Sequence, residues 1–218
     1  MKYLMIRIFQ AGGLAYYYLF VGPRGHGRPR SARSWDAQYR TGHWDNFESM
    51  DEMPRYAVIA SYIRNYGAAL SVLDVGCGYG RLVKELHASS FARYVGIDLS
   101  SEAIARANSS DYPNASFSIA DFTTWTTDAK FDIIVLNDTL YYAEHPVAVL
   151  DRYFAMLADG GSIIVGMFRH RNTMVIWKDI ARRFAFAHSI EVRNGKGELT
   201  DIRVLVRTPP PQLASSGA

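Results

Sequence analysis

The chain has 218 residues, 49% of them hydrophobic and 21% charged, with a net charge of +3 and a single cysteine, Cys77. This length holds one α/β domain with a buried core and is short for two, and the composition excludes a disordered chain. One cysteine excludes an intrachain disulfide and a metal site built on several thiolates, so no metal is expected, and it fits a reducing, cytoplasmic address. Six basic residues (Lys2, Arg7, Arg24, Arg28, Arg30 and Arg33) precede the first acid, Asp36, which leaves 18 basic residues against 21 acids in the remainder. A body of that sign lacks the basic surface that general nucleic-acid binding needs.

Residues Ile8 to Gly22 form an uncharged, aromatic-rich run of 15 residues, short of the roughly 20 that cross a bilayer as a helix. Three readings stay open for it: local packing or an overlong start, a peripheral membrane foot over residues 1–30 at the inner face, and an export signal. The last lacks a small-residue cleavage site. Gly22 to Ser34 is Gly/Pro/Arg-rich without periodicity and reads as a linker. The aromatic segment Trp35 to Phe47 follows, and then a helix begins at Pro54, with Ile59, Tyr62, Ile63 and Tyr66 at helical spacing before Gly67.

From Ser71 onward strands and helices alternate. Strands are predicted at Val72–Val75, Arg93–Ile97, Ser116–Ala120, Phe131–Leu136 and Ser162–Met167. Between them lie helices at Arg81–Ala88, at Glu102–Ala107 capped by Ser100, and at His145–Leu157, with a turn at Asp159 to Gly161. A helix over Thr173–Phe186 precedes two strands, Ser189–Arg193 and Leu199–Val206, about a Gly-rich turn. The prediction is a three-layer, Rossmann-like α/β sandwich whose mostly parallel sheet ends in an antiparallel hairpin. The tail from Pro209 is expected to be disordered.

The strongest local signal is VLDVGCGYGRL, Val72 to Leu82, where a hydrophobic strand enters Gly76-Cys77-Gly78-Tyr79-Gly80 and then a helix. Glycines there permit a sharp turn and close approach to a ligand. A dinucleotide loop would place its third glycine five residues after the first, whereas Gly80 stands four after Gly76. Asp74, beside the turn, suits a cationic ligand better than a pyrophosphate. Asp98 closes the second strand, where an acid accepts ribose hydroxyls, and Asp121 follows the third, where an acid can read an adenine amino group.

With FDIIVLNDTLYY and LADGGSIIVG added in order and spacing, this chain resembles the class I S-adenosylmethionine-dependent methyltransferases from about Trp35 to Arg207. The resemblance implies a seven-stranded sheet whose last strand is antiparallel, and S-adenosyl-L-methionine as cofactor. It implies that Asp74, Gly76, Cys77 and Gly78 lie around the methionine part and Asp98 on the ribose. Leu99 would pack on the adenine, Asp121 and Phe122 would meet its edge, and Asn137 would offer a carbonyl to the amino group. Trp35, Tyr39 and Arg40 are similar to the N-terminal lid of small-molecule methyltransferases, including nodulation-type N-methyltransferases, and Arg40 would there meet the cofactor carboxylate. The implied division is an arm and linker over 1–34, a methyltransferase domain over 35–208 with the lid at 35–53, and a tail over 209–218.

Methyl transfer from a sulfonium needs alignment and exclusion of water, and a base only where the acceptor must lose a proton early. Candidates for proton transfer are Asp138, His145 and His170, the last kept neutral by neighbouring arginines. Tyr141, Tyr142, His43 and Trp44 are expected to shape the acceptor pocket. The expected acceptor is a small polar molecule, a sugar or a lipid-linked glycan precursor, methylated on oxygen or nitrogen. A nicotinamide-dependent oxidoreductase on the same sheet and a catalytically silent cofactor-binding module are the competing readings.

Overall fold

The structure, a computed structural model, describes residues 15–24, 26–86 and 90–207. Seven strands form one sheet: β1 Leu70–Val75, β2 Phe91–Asp98, β3 Ala115–Ile119, β4 Phe131–Asn137, β5 Leu157–Phe168, β6 Ala185–Arg193 and β7 Leu199–Val206. Their order is β3-β2-β1-β4-β5-β7-β6. β1 to β5 pair in parallel, while β7 runs antiparallel to both β5 and β6. The mostly parallel sheet and its closing hairpin are as the sequence predicts.

Among the described residues two α-helices precede the sheet, α1 Ala32–Arg40 and α2 Met53–Tyr66, and four lie between its strands, α3 Arg81–Glu85, α4 Ser101–Asn108, α5 Pro146–Ala155 and α6 Arg171–Arg183. Alternation along each strand feeds two cores. Ile134 and Leu136 of β4 join Val149, Leu150 and Tyr153 of α5 and Ile176, Trp177 and Ile180 of α6. Ile133 and Val135 face the other way, with Ile59, Ala60 and Ile63 of α2 and Leu82 and Val83 of α3. Burial on both sides is why β4 reads as an unbroken apolar run.

Several boundaries differ from expectation. α6 stops at Arg183, and Ala185 to His188, expected as helix and turn, are strand. β6 has to match the full length of β7, from Ala185 opposite Val206 to Arg193 opposite Leu199, with a bulge between Phe186 and His188. Asp159 to Gly161 does not separate helix from strand: β5 already begins at Leu157, opposite Phe131, and shifts register before Ser162 pairs with Ile133. The predicted end of α3 at Ala88 lies outside the described residues, and Leu86 is already extended. The tail and the first half of the apolar arm also lie outside them. Within the arm, Tyr17–Val21 is a short helical segment that runs into a 3-10 turn at Gly22–Arg24.

The stretch expected as a linker is held in place. Arg28 N–H donates to the Tyr141 carbonyl at 3.0 Å and Gly27 N–H to that of Glu144 at 3.4 Å. Gly27 permits this approach, since a Cβ there would stand 1.9 Å from the Ala143 carbonyl oxygen. Ser31, extended and accepting from Ser34 N–H at 3.3 Å, then caps α1.

Candidate functional site

The carboxyl ends of β1, β2 and β4 open into a cavity of about 430 Å³, the usual place for a ligand in an open parallel sheet. Its floor is the glycine loop. The N–H groups of Gly76 and Cys77 both donate to the Ile97 carbonyl, at 2.8 and 3.0 Å, which ties β1 to β2 at their tips. Gly76 has φ +74° and Gly78 φ +54°. A Cβ at Gly76 would lie 2.2 Å from Thr139 Oγ1, and one at Gly78 would lie 3.0 Å from the Tyr39 hydroxyl. The loop is thus gripped from below by Thr139 and covered from above by Tyr39, and glycine is required on both counts. Cys77 lines the cavity as a small buried filler whose thiol is pushed well up by burial and stays protonated.

Asp98 stands beside this loop. One carboxylate oxygen accepts from Gly78 N–H at 2.9 Å and the other from Ser100 N–H at 2.8 Å. Burial raises its pKa and these donors oppose the rise. The carboxylate lines the cavity at the strand tip, where an acid accepts ribose hydroxyls. Leu99, Asp121, Phe122 and Asn137 line the same side. Asp121 braces its own turn, accepting from the N–H and hydroxyl of Thr123 through a single oxygen, Oδ1. Asn137 Oδ1 is buried with no hydrogen-bond partner among the described residues and lies against Gly166 of β5, where a Cβ would stand 2.4 Å from it.

The roof is aromatic. Trp35, Tyr39, Trp44 and Phe47 cover the cavity, and Tyr141 and Tyr142 wall its β4 side. Trp35 meets Tyr142 edge-on at 4.7 Å between ring centroids. The roof is latched to the body by polar contacts: Tyr79 donates to the Trp44 carbonyl at 2.9 Å, the Ser100 hydroxyl bonds Asp36 at 2.7 Å, and Arg106 pairs with Asp45 at 2.8 Å.

Four expected site residues do not line this cavity: Asp74, Arg40, His43 and His170. Asp74 is 3% exposed behind the loop, and its carboxylate accepts from the Tyr94 hydroxyl at 2.5 Å. Burial pushes its pKa up to about 7. Asp74 stands two residues before Gly76, and its side chain lies on the same face of the sheet as that of Tyr94 on β2, so its carboxyl meets Tyr94 and not the ligand space. Arg40 turns outward and pairs with Glu102 at 2.5 Å, because α1 presents that position to solvent and to the first turn of α4. His43 is exposed and only edges Trp44.

His170 is the N-cap of α6. Its ring nitrogen accepts from Thr173 N–H at 3.4 Å, while Thr173 Oγ1 accepts from His170 N–H at 3.0 Å. It is kept neutral as expected, but by burial. The flanking arginines, Arg169 and Arg171, do not cause the shift, and Arg169 is committed to Asp201 and Glu191.

The other two candidates for proton transfer do reach the cavity. Asp138, at φ +52°, spends one oxygen on Phe168 N–H at 2.9 Å and the other on Arg55, so it holds the fold at the mouth of β4. His145 precedes α5 without capping it and meets His26 edge-on at 5.1 Å. Sequence reasoning missed Arg30, Phe47, Tyr56, Tyr79, Arg81, Thr139 and Glu144 in the lining. Three of these had a signal: Phe47 closes the aromatic segment, Tyr79 stands within the glycine loop, and Thr139 follows Asn137 by two residues just past the end of β4.

A methyltransferase domain model matches residues 67–202. Nodulation protein S of Bradyrhizobium diazoefficiens is 30% identical over 58% of this chain and 62% of its own length. The trans-aconitate 2-methyltransferase of Variovorax paradoxus is 36% identical over 45% of this chain and 39% of its own. The chain therefore spans less than two thirds of these curated relatives. The fold is similar to that of N-methyltransferase NodS from Bradyrhizobium japonicum, solved with S-adenosyl-L-homocysteine, at a TM-score of 0.67 and 20% identity over 82% of this chain and 98% of that one. S-adenosylmethionine is the methyl donor of such enzymes, and Asp98 at the strand tip and the glycine cradle fit it. The chain belongs to the methyltransferase domain family.

Proposed function

We propose that this protein transfers a methyl group from S-adenosylmethionine to an oxygen or nitrogen of a small polar acceptor. The observation that carries this reading is the pairing of Asp98 with the glycine loop on the cavity floor, its carboxylate held by backbone donors at the edge of the ligand space. When bound, the cofactor supplies a methyl group activated by a sulfonium. Gly76 and Gly78 let the backbone come close to it, Asp98 fixes its ribose, and Trp35, Tyr39 and Trp44 exclude water above it. The aspartates at the site, Asp98, Asp121 and Asp138, are each engaged by neighbouring donors, which favours an acceptor that loses its proton late, such as an amine. His145 is the residue placed to take a proton from a hydroxyl acceptor.

A sugar or lipid-linked glycan precursor is the favoured acceptor. The aromatic roof suits stacking on a sugar face, and one relative is a nodulation protein. Tyr16 at 61%, Leu19 at 66% and Phe20 at 50% exposure support a membrane-facing arm. No described helix is long and apolar enough to cross a membrane. The test is incubation with methyl-labelled S-adenosylmethionine and a panel of sugar amines, sugar hydroxyls and small acids. Demethylated cofactor accumulating only with a particular acceptor supports the reading, and none accumulating with any acceptor overturns it.

A further inference from the structure

We propose that Arg30 is an acceptor-binding residue and that the acceptor carries an anionic group, a carboxylate or a phosphate. The inference rests on the methyl-transfer reading and names the substrate class of the same site. Arg30 lines the cavity and lies over two aromatic walls, with its guanidinium carbon 5.6 Å from the Trp35 ring centroid and 5.8 Å from that of Tyr142. Its Nε is buried and has no hydrogen-bond partner, and among the described residues Arg30 forms no ion pair.

Other arginines at the site are committed. Arg81 pairs with Glu85 and reaches the Phe47 carbonyl, Arg152 donates to the Thr123 carbonyl, and Arg55 lies between Glu52 and Asp138. The aspartates of the lining are spent as well: Asp98 on backbone donors, Asp121 on Thr123 and Asp138 on Arg55 and Phe168. Glu144, the remaining acid of the lining, forms no ion pair with Arg30 among the described residues. Arg30 is thus a fixed planar fork of donors facing ligand space without an acceptor, the arrangement that recognises carboxylate or phosphate bidentately.

Its position argues for the acceptor over the cofactor. Asp98 and Asp121 mark the nucleoside side, at the ends of β2 and after β3. Arg30 lies on the opposite side, against Tyr142 in the loop after β4, and is brought there by the hydrogen bond of Arg28 to Tyr141.

The test uses the full chain saturated with S-adenosylhomocysteine, following the fluorescence of Trp35 and Trp44. Four probes form two matched pairs: benzoate with benzamide, and phenyl phosphate with phenol. The wild type is expected to bind at least one anion about tenfold more tightly than its neutral partner, and the better pair distinguishes a carboxylate from a phosphate. Arg30→Met should abolish that preference, Arg30→Lys should keep part of it, and both should bind S-adenosylhomocysteine as the wild type does.

Equal binding of charged and neutral probes, no binding of either anion, or a preference that survives Arg30→Met overturns the proposal. So does selective loss of S-adenosylhomocysteine binding in Arg30→Met, which would assign Arg30 to the cofactor. Failure of the wild type to bind S-adenosylhomocysteine counts against the methyl-transfer reading instead, and the anion preference is then read on the free protein.

Discussion

The nucleoside side of the cavity and its acceptor side are built in different ways. On the nucleoside side, the backbone does most of the work. Glycines at positive φ, strand-end acids and amides that meet a carboxylate follow one another along β1, β2 and their loops. On the acceptor side, the wall is assembled from segments far apart in the chain. His26 meets the Glu144 carbonyl across 118 residues, and Arg30 reaches Tyr142 only because the segment before α1 lies along the loop after β4. A site made of local geometry is fixed once its strands form, whereas one made of distant contacts can be altered without disturbing its neighbour.

Variants can break this contrast. Asp98→Ala removes a charged acceptor of ribose hydroxyls and should weaken S-adenosylhomocysteine binding about 100-fold by calorimetry. Tyr142→Ala on the other side should leave that affinity within about threefold and lower turnover. If Tyr142→Ala harms cofactor binding as much as Asp98→Ala, the two sides are not separable.

The next effect is on stability. Asp138→Ala takes from the buried Arg55 guanidinium one of its two carboxylate partners, leaving Glu52, and should cost about 2 kcal/mol in denaturant unfolding. Arg55→Met should cost at least as much, because it leaves both Glu52 and Asp138 without their cation.

Asp74 sharpens the contrast through pH. Its native pKa stands at about 7 against an ordinary 3.8, so the native state holds the proton more tightly than the unfolded chain. Its contribution therefore lowers stability progressively as pH rises from about 4 to about 7, and by a constant amount above that. Asp74→Asn, which can still accept from the Tyr94 hydroxyl, should raise Tm most at about pH 8, with the gain shrinking toward about pH 4. A gain independent of pH would show that Asp74 is not the titrating group.

His170→Ala should lose about 1 kcal/mol through the missing cap, and His170→Ser should restore it with turnover unchanged. A turnover defect that serine does not rescue would return His170 to the chemistry. Arg40→Ala removes an exposed, solvent-screened pair and should leave the denaturation midpoint and cofactor affinity unaltered.

The same contrast explains what was legible in the sequence. Gly76, Gly78, Asp98 and Asp121 could be read because their residue types answer to a local demand: positive φ, close approach or an acceptor at a strand tip. The seven strands were legible from apolar runs and turn residues, down to the antiparallel hairpin. Asp74 and Arg40 were placed in the site by motif, yet the side a residue faces depends on its neighbours. Tyr94 on β2 claims the first and Glu102 on α4 the second. Arg30 was invisible for the opposite reason. Its segment has a linker's composition, and only contact with residues 141–144 gives it a position. The beginning of β6 was hidden because Ala185 to His188 continue the helical composition of α6, while pairing with β7 sets their conformation.

The central claim is that the glycine loop and Asp98 form a seat for S-adenosylmethionine, and calorimetric titration of the purified full chain tests it most directly. Injecting S-adenosylhomocysteine should give saturable heat at one site per chain, while NAD under the same conditions gives none. Saturable heat from NAD with none from S-adenosylhomocysteine would contradict the account.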